Sequence, residues 1–237
     1  MLSILKRFGL LGLLFIPLAA FAQGATPDVQ KVLTQLNAAA AKFQSAQADF
    51  DWDQFTAVVQ DHDIQSGTIY FERKKGEKTT QMAADLKQHN GKDAPKTLVY
   101  DGGQLQLYEP EIKQLTLIEA GKNQSQWESF LTLGFGGSGA DLEANWKVSV
   151  QGTDTMNGVP VVKLDLVPLQ QKVLTTFTHV TIWIDPTRSV SYKQIFYQST
   201  GDMRTATYKN IRYNAPIPGN VFEIKTARGT NTVRRQP

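Results

Sequence analysis

The chain has 237 residues, 41% of them hydrophobic and 20% charged, with no cysteine and a formal net charge of +3. Such a composition is ordinary for a folded domain, and without cysteine both a disulfide-braced scaffold and a thiol nucleophile are excluded. The length fits one all-β or α+β domain, or two small ones.

Residues 1–22 read as a cleaved signal peptide. Lys6 and Arg7 form a positive start, and the apolar run at 8–18 is too short for a comfortable membrane span. Ala20-Phe21-Ala22 is a small-x-small cleavage site before Gln23. Loss of Lys6 and Arg7 takes the formal charge from +3 to +1. The remaining basic excess sits largely in the tail, at Arg228, Arg234 and Arg235, so no clustered basic face points to nucleic acid. The mature chain, 23–237, is read as one exported domain whose stability must come from a core, which suits a bacterial periplasm as well as the outside.

A helix opens it. Thr26-Pro27-Asp28 offers a capping hydroxyl, a proline at the first helical position and an acid facing the dipole. Val29, Val32, Leu33, Leu36, Ala40 and Phe43 then recur on one helical face. Ahead of a sheet, such a helix is either a core element or a movable cover.

A strand is expected over 47–60, a turn at Asp61-His62-Asp63, and a second strand over 65–73. On that second strand Ile69, Phe71 and Arg73 share a face. A guanidinium on an apolar strand face is costly unless paired or hydrogen-bonded. The alternative is snorkelling at the strand end. A charged turn at 74–78, a strand over 79–86 and a loop over 87–96 follow.

Residues 97–117, TLVYDGGQLQLYEPEIKQLTL, fold back as three short strands. Asp101-Gly102 is a hairpin signal. Leu105 and Leu107 alternate with Gln104, Gln106 and Tyr108, and Leu115 and Leu117 resume the alternation after the break at Glu109-Pro110-Glu111. This antiparallel meander has one apolar face and needs a cover.

Ser125 with Glu128 fits a capping box at the start of a short apolar helix carrying Trp127, Phe130, Leu131 and Leu133. That helix runs into Gly134-Phe135-Gly136-Gly137-Ser138-Gly139, by letter G-x-G-x-x-G. A dinucleotide site needs the motif between a strand and a helix of a parallel unit. Here it follows a helix in an antiparallel chain, so it reads as a flexible glycine hinge of a lid. After a second short helix at 140–144 come strands at 146–152, 159–168, 176–185, 189–199 and 202–213, with a turn at Asn157-Gly158 and a last strand or turn at 221–226. The lengths and spacing fit an α+β fold with an antiparallel meander of about ten to eleven strands.

Catalytic chemistry is missing. His62, His89 and His179 stand far apart without metal-like spacing. There is no G-x-S-x-G elbow. The carboxylate pairs Asp51/Asp53 and Asp61/Asp63 sit near turns, where solvated acids are the default. No enzyme activity, metal or cofactor is expected, and binding is the economical reading.

Together these segments resemble the LolA-like family, periplasmic carriers of outer-membrane lipoproteins. The resemblance spans essentially the whole mature chain. It is carried by the first helix leading to Phe43 and Phe50, by Gly67-Thr68-Ile69-Tyr70-Phe71-Glu72-Arg73, by Val99-Tyr100-Asp101-Gly102 through Leu107-Tyr108-Glu109-Pro110, and by Ile182-Trp183-Ile184-Asp185-Pro186. It implies an unclosed half-barrel with helices covering the concave face. It implies a lipid cavity lined by Ile69, Phe71, Leu105, Leu107, Leu115, Leu117, Leu33, Leu36, Phe43, Trp127, Phe130 and Leu131. Arg73 matches the family's lid-closing arginine, bonding lid-helix backbone when closed. Implied partners are acylated lipoproteins or lipids, an inner-membrane lipoprotein-releasing ABC transporter and an outer-membrane acceptor, with the protein acting as a monomeric chaperone. Two departures stand out: Lys74-Lys75-Gly76-Glu77-Lys78 replaces the family's usual segment after the arginine, and the lid is glycine-rich. A periplasmic lipid-binding sensor on the same scaffold, or a free-lipid carrier, is the alternative. A second domain after the half-barrel would favour the sensor reading, and none is expected in a chain ending at Pro237. An outer-membrane barrel would need a lipid-facing band with aromatic girdles, and charges within the strands oppose it.

Overall fold

In the computed structural model, residues 27–74, 76–77 and 79–235 are described. The expected signal peptide at 1–22 and the Thr26 cap lie outside the described residues.

The first helix, α1 (Val29–Ala40), is capped by Asp28, whose carboxylate accepts from the Gln30 amide at 3.2 Å. Its apolar stripe, Val32, Leu33 and Leu36, is buried. A meander follows: β1 (Ser45–Thr56), β2 (Asp61–Arg73), β3 (Thr80–His89), β4 (Lys92–Asp101), β5 (Gln104–Glu109) and β6 (Gln114–Glu119). A 3-10 turn at Gly121–Asn123 leads to α2 (Gln124–Leu131) and then α3 (Gly139–Asn145). The second meander is β7 (Trp146–Met156), β8 (Val159–Pro168), β9 (His179–Asp185), β10 (Val190–Tyr197) and β11 (Met203–Tyr213), with α4 (Gln171–Leu174) between β8 and β9. A last strand, β12 (Asn231–Arg235), ends the described chain.

All twelve strands lie in one sheet of order β12-β6-β5-β4-β3-β2-β1-β11-β10-β9-β8-β7. The two meanders join where β11 pairs antiparallel with β1. β12 and β7 remain edges, so the sheet is not closed into a barrel. One of its faces is covered by α1, α3 and the segment 132–138.

Several boundaries move from their expected places. The first strand stops at Thr56, and the turn falls on 57–60, because β1 and β2 pair without a break from Ser45↔Glu72 to Thr56↔Asp61. Asp61-His62-Asp63 is therefore strand. The loop expected over 87–96 is a hairpin, turned by Asn90 and Gly91 at φ 49° and 74°, the left-handed pair that a two-residue hairpin needs. Ser125 lies inside α2 rather than at its cap. The capping box belongs instead to α3, between Ser138 and Asp141. The strand expected at 176 begins at His179, behind the unforeseen α4. The tail yields turn rather than strand over 221–226, and β12 beyond it, parallel to β6, exceeds the expected strand number. β12 reads Asn-Thr-Val-Arg-Arg and is mostly exposed, so no apolar alternation announces it.

The covered face holds two packed clusters. α1, Leu133 of the covering segment and Leu142 of α3 pack on Leu164, Leu166, Val180 and Ile182 of β8 and β9. Phe43 and Phe135 pack on Phe71, Met82, Tyr100 and Tyr208 in the middle of the sheet.

Candidate functional site: an apolar face under a fastened lid

Arg73 is the last residue of β2, on the same face as Ile69 and Phe71. Nη1 donates to the Ala40 carbonyl at the end of α1 at 2.6 Å, and Nη2 to the Gly136 carbonyl of the covering segment at 2.7 Å. The guanidinium also stands 5.6 Å over the Phe43 ring. Its Nε is buried without a partner. Charge-assisted bonds to two backbone carbonyls offset the cost of withdrawing the cation from water. Two surface clefts flank it. One of about 270 Å³ is lined by Thr80, Glu128, Leu133, Gly136 and Asp141, and one of about 670 Å³ by Gln44, Glu72, Asn214 and Ile217.

The covering segment is fastened on its other side as well, because β11 leaves β10 early. The β10–β11 pairing ends at Lys193↔Thr207, while β11 continues along β1 to Tyr213. The edge left bare on β10 is taken by residues 134–136. The Gly136 amide donates to the Ser189 carbonyl at 2.9 Å, and the Ser191 amide to the Gly134 carbonyl at 2.8 Å. Ser189 Oγ donates to the Gly137 carbonyl at 2.7 Å. Gln194 Nε2 donates to the Leu133 carbonyl at 2.6 Å, and Tyr208 donates to Gln194 Oε1 at 3.3 Å, all out of water. Burial pushes the Tyr208 hydroxyl well above its ordinary pKa, so it stays a donor.

Glycine is required here by close approach as much as by backbone angle. A side chain on Gly134 would strike Ser191 Oγ, and one on Gly136 the Phe43 ring, and both residues have positive φ. Between them Phe135 is 1% exposed. It stacks on Phe71 with centroids 4.0 Å apart and meets Tyr208 edge-on at 4.8 Å.

Asp185, at the end of β9, shapes the turn that presents Ser189. Its carboxylate accepts from Thr187 Oγ1 and Arg188 Nε, both at 2.6 Å. Burial pushes the Asp185 pKa up, but the hydrogen bonds from Thr187 and Arg188 outweigh it and hold the group below the ordinary carboxylate range. A depressed carboxylate stabilises the fold above its ordinary pKa near 4, and that contribution is lost as pH falls through the lower folded value. Asp185→Asn should therefore cost about 2 kcal/mol at neutral pH and nothing in strong acid. Denaturant melts of both proteins at neutral and acid pH check this; a constant difference would rule it out.

The sequence-derived site residues divide by this geometry. Phe43 and Phe71 share one cluster with Phe135, and Ile69, Leu105 and Leu131 pack against that cluster. Leu33, Leu36 and Phe130 belong to the neighbouring cluster, where Phe130 meets Trp146 edge-on at 5.1 Å. Leu107 shares the face of Leu105, opposite Leu98. Leu115 and Leu117 do not. Register sets them opposite Tyr108 and Gln106, so Thr116 and Ile118 face the covered side instead. A break of four residues at the turn, 110–113, carries the alternation over with its phase inverted. The Trp127 side chain lies outside the described residues.

Sequence reasoning missed Phe135, Gln194 and Ser189. Phe135 carried a readable signal, being one large apolar residue among glycines. Gln194 had none, since its partner is a carbonyl 61 residues away. Among the described residues each histidine faces one aspartate: His62–Asp53 at 2.9 Å, His89–Asp63 at 2.7 Å and His179–Asp165 at 3.9 Å.

No protein-family model and no curated protein matches the chain. Solved structures do. An uncharacterized conserved protein from Thermus thermophilus matches over 87% of this chain and 98% of its own, at a TM-score of 0.54 and 10% identity. MucB matches over 84% of this chain at 0.53 and 13% identity, and this chain spans 63% of the MucB chain. A putative outer membrane lipoprotein-sorting protein domain from Vibrio parahaemolyticus matches over 83% of this chain and 97% of its own, at 0.45 and 14%. The open sheet with helices laid across one face is thus a fold shared with the Thermus thermophilus protein and with MucB.

Proposed function

We propose that the protein is a binding protein rather than an enzyme: a periplasmic carrier that takes up the acyl chains of lipoproteins between lid and sheet. The observation that carries this reading is the lid itself, a covering segment fastened over an apolar face by a half-buried arginine through two backbone carbonyls. The bond to Gly136 breaks without leaving its carbonyl permanently dry, since Gly136 and Arg73 both line a surface cleft. The resemblance of the sequence motifs to lipoprotein carriers points the same way.

The energetics suit such a task. An acyl chain of roughly 15 CH₂ groups leaves water with on the order of 12 kcal/mol, at about 0.8 kcal/mol per CH₂. Acylated proteins cross an aqueous compartment at a useful rate only if something shields those chains. Cargo would come from an inner-membrane releasing transporter and pass to an outer-membrane acceptor. A grip that must also let go is best made weaker than a core, and re-closing of a polar latch supplies the opposing free energy.

The test uses the mature chain, 23–237, added to spheroplasts carrying newly made lipoproteins. Soluble complexes with acylated lipoprotein, absent with an unacylated control, are the expected result. Lipid in a mass spectrum of the purified protein without lipoprotein release would replace this reading with a free-lipid carrier or sensor.

A further inference from the structure

The covered face carries a second arginine, far from the first. Arg204 stands on β11 between Gln54 of β1 and Phe196 of β10, and register puts all three on one face. That face continues along β11 through the buried Ala206 and Tyr208 to the Phe135 cluster. The guanidinium lies 4.8 Å over the Trp52 ring, and Nε donates to Gln54 Oε1 at 3.0 Å. Among the described residues neither terminal nitrogen has a hydrogen-bond partner, and no carboxylate pairs with the group. Asp63, the acid opposite Gln54, is engaged by His89 at 2.7 Å. Burial, with no acid to offset it, pulls the Arg204 pKa below the ordinary arginine value. It remains a cation at neutral pH.

Its position is as informative as its isolation. Arg73 donates its amide to Gln44 at one end of β1, and Arg204 meets Gln54 near the other. Ten residues of strand separate them, about 30 Å at the rise of a β-strand. The rim at the Arg204 end also carries the most exposed aliphatic side chains, Val58 at 87%, Val59 at 68%, Ile112 at 64% and Leu169 at 56%. Arg204 is thus a half-buried cation with two free donors at the open end of an apolar face.

We propose that Arg204 is a head-group anchor, binding the anionic oxygens, carboxylate or phosphate, at the polar end of an acyl ligand whose chain lies toward Phe135. The planar fork of the guanidinium matches either oxyanion bidentately, and the Trp52 ring fixes its plane. An anion there completes an ion pair that the protein leaves open, while the chain covers Phe50, Ala206 and Tyr208. The assignment rests on the part of the carrier reading that places an acyl chain between lid and sheet, and it names an anionic acyl lipid as the ligand of that space.

The test compares three amphiphiles with one tail: palmitate, palmitoyl phosphate and the neutral methyl palmitate. Binding is measured by calorimetry to the delipidated mature protein. The wild type should prefer the anionic pair over the ester roughly tenfold, the worth of one charge-assisted pair. Arg204→Gln should erase that preference with ester affinity unchanged, and Arg204→Lys should keep part of it, a pattern that misfolding does not produce. The stronger of the two anions identifies the head group. Equal binding of all three by the wild type, or a preference that survives in Arg204→Gln, overturns the anchor while leaving the carrier reading intact. Inorganic phosphate binding alone at Arg204 would make this a free-anion site and overturn the head-group assignment. Binding of none of the three removes the carrier reading and the anchor with it.

Discussion

Arg73→Leu should leave the sheet folded while loosening the lid by about two orders of magnitude. The arginine donates two charge-assisted bonds, to Ala40 and Gly136. At about 1.5 kcal/mol each they contribute about 3 kcal/mol to the closed lid, a factor of roughly 100 in its opening equilibrium. Global stability should move by no more than about 1 kcal/mol, because an aliphatic chain beside Phe43 and Phe71 removes the desolvation cost of the cation. The lid is not fastened by Arg73 alone. Ser189, Ser191 and Gln194 still grip residues 133–137 from β10. The lid therefore still closes, but it opens more often, and amide exchange at Gly136 should speed up by about that factor with the exchange of β2 and β3 unchanged. Functionally it should take up lipid and release it poorly, since the closed state that competes with ligand has lost its advantage. Unchanged exchange at Gly136 together with normal hand-off would end the latch interpretation.

How much of this was legible beforehand follows from the range of each interaction. Arg73 was conspicuous because its strand alternates cleanly, and a charge on an apolar face demands an explanation. The helix face of α1 was equally open to reading, since its period is local. Leu115 and Leu117 lie on the side opposite to the expected one because phase is not conserved through a turn, and only the pairing Leu105↔Ile118 fixes it. The second fastening was invisible for a different reason. It depends on β11 parting from β10 after Thr207 while it stays paired with β1, a property of the whole sheet with no trace in any one segment. The same divergence corrects the meaning of the glycine run. Two of its residues give room for close contact, Gly134 with Ser191 and Gly136 with Phe43.

Phe135→Ala should destabilise the protein and at the same time strengthen its hold on an apolar chain. The side chain is 1% exposed and is clasped by Phe71 and Tyr208. Truncating a buried phenylalanine costs about 3–5 kcal/mol, part transfer and part cavity. An ordinary core residue would give only that loss. If acyl chains enter between lid and sheet, Phe135 is the group they displace: it fills the apolar face when no ligand does. The empty closed state then carries the whole penalty of the substitution, and the filled state, from which Phe135 has already withdrawn, carries almost none. By linkage the difference appears as affinity, so palmitate or its methyl ester should bind at least tenfold more tightly. Added ligand should restore most of the lost melting temperature. Leu164→Ala is the control. Leu164 is fully buried in the neighbouring cluster under α1, and its truncation should lower stability with no gain in affinity. Phe135→Ala behaving like that control would mean that Phe135 is fixed core and that chains bind elsewhere, whereas opposite signs for stability and affinity would locate the acyl site at the stacked pair Phe71 and Phe135.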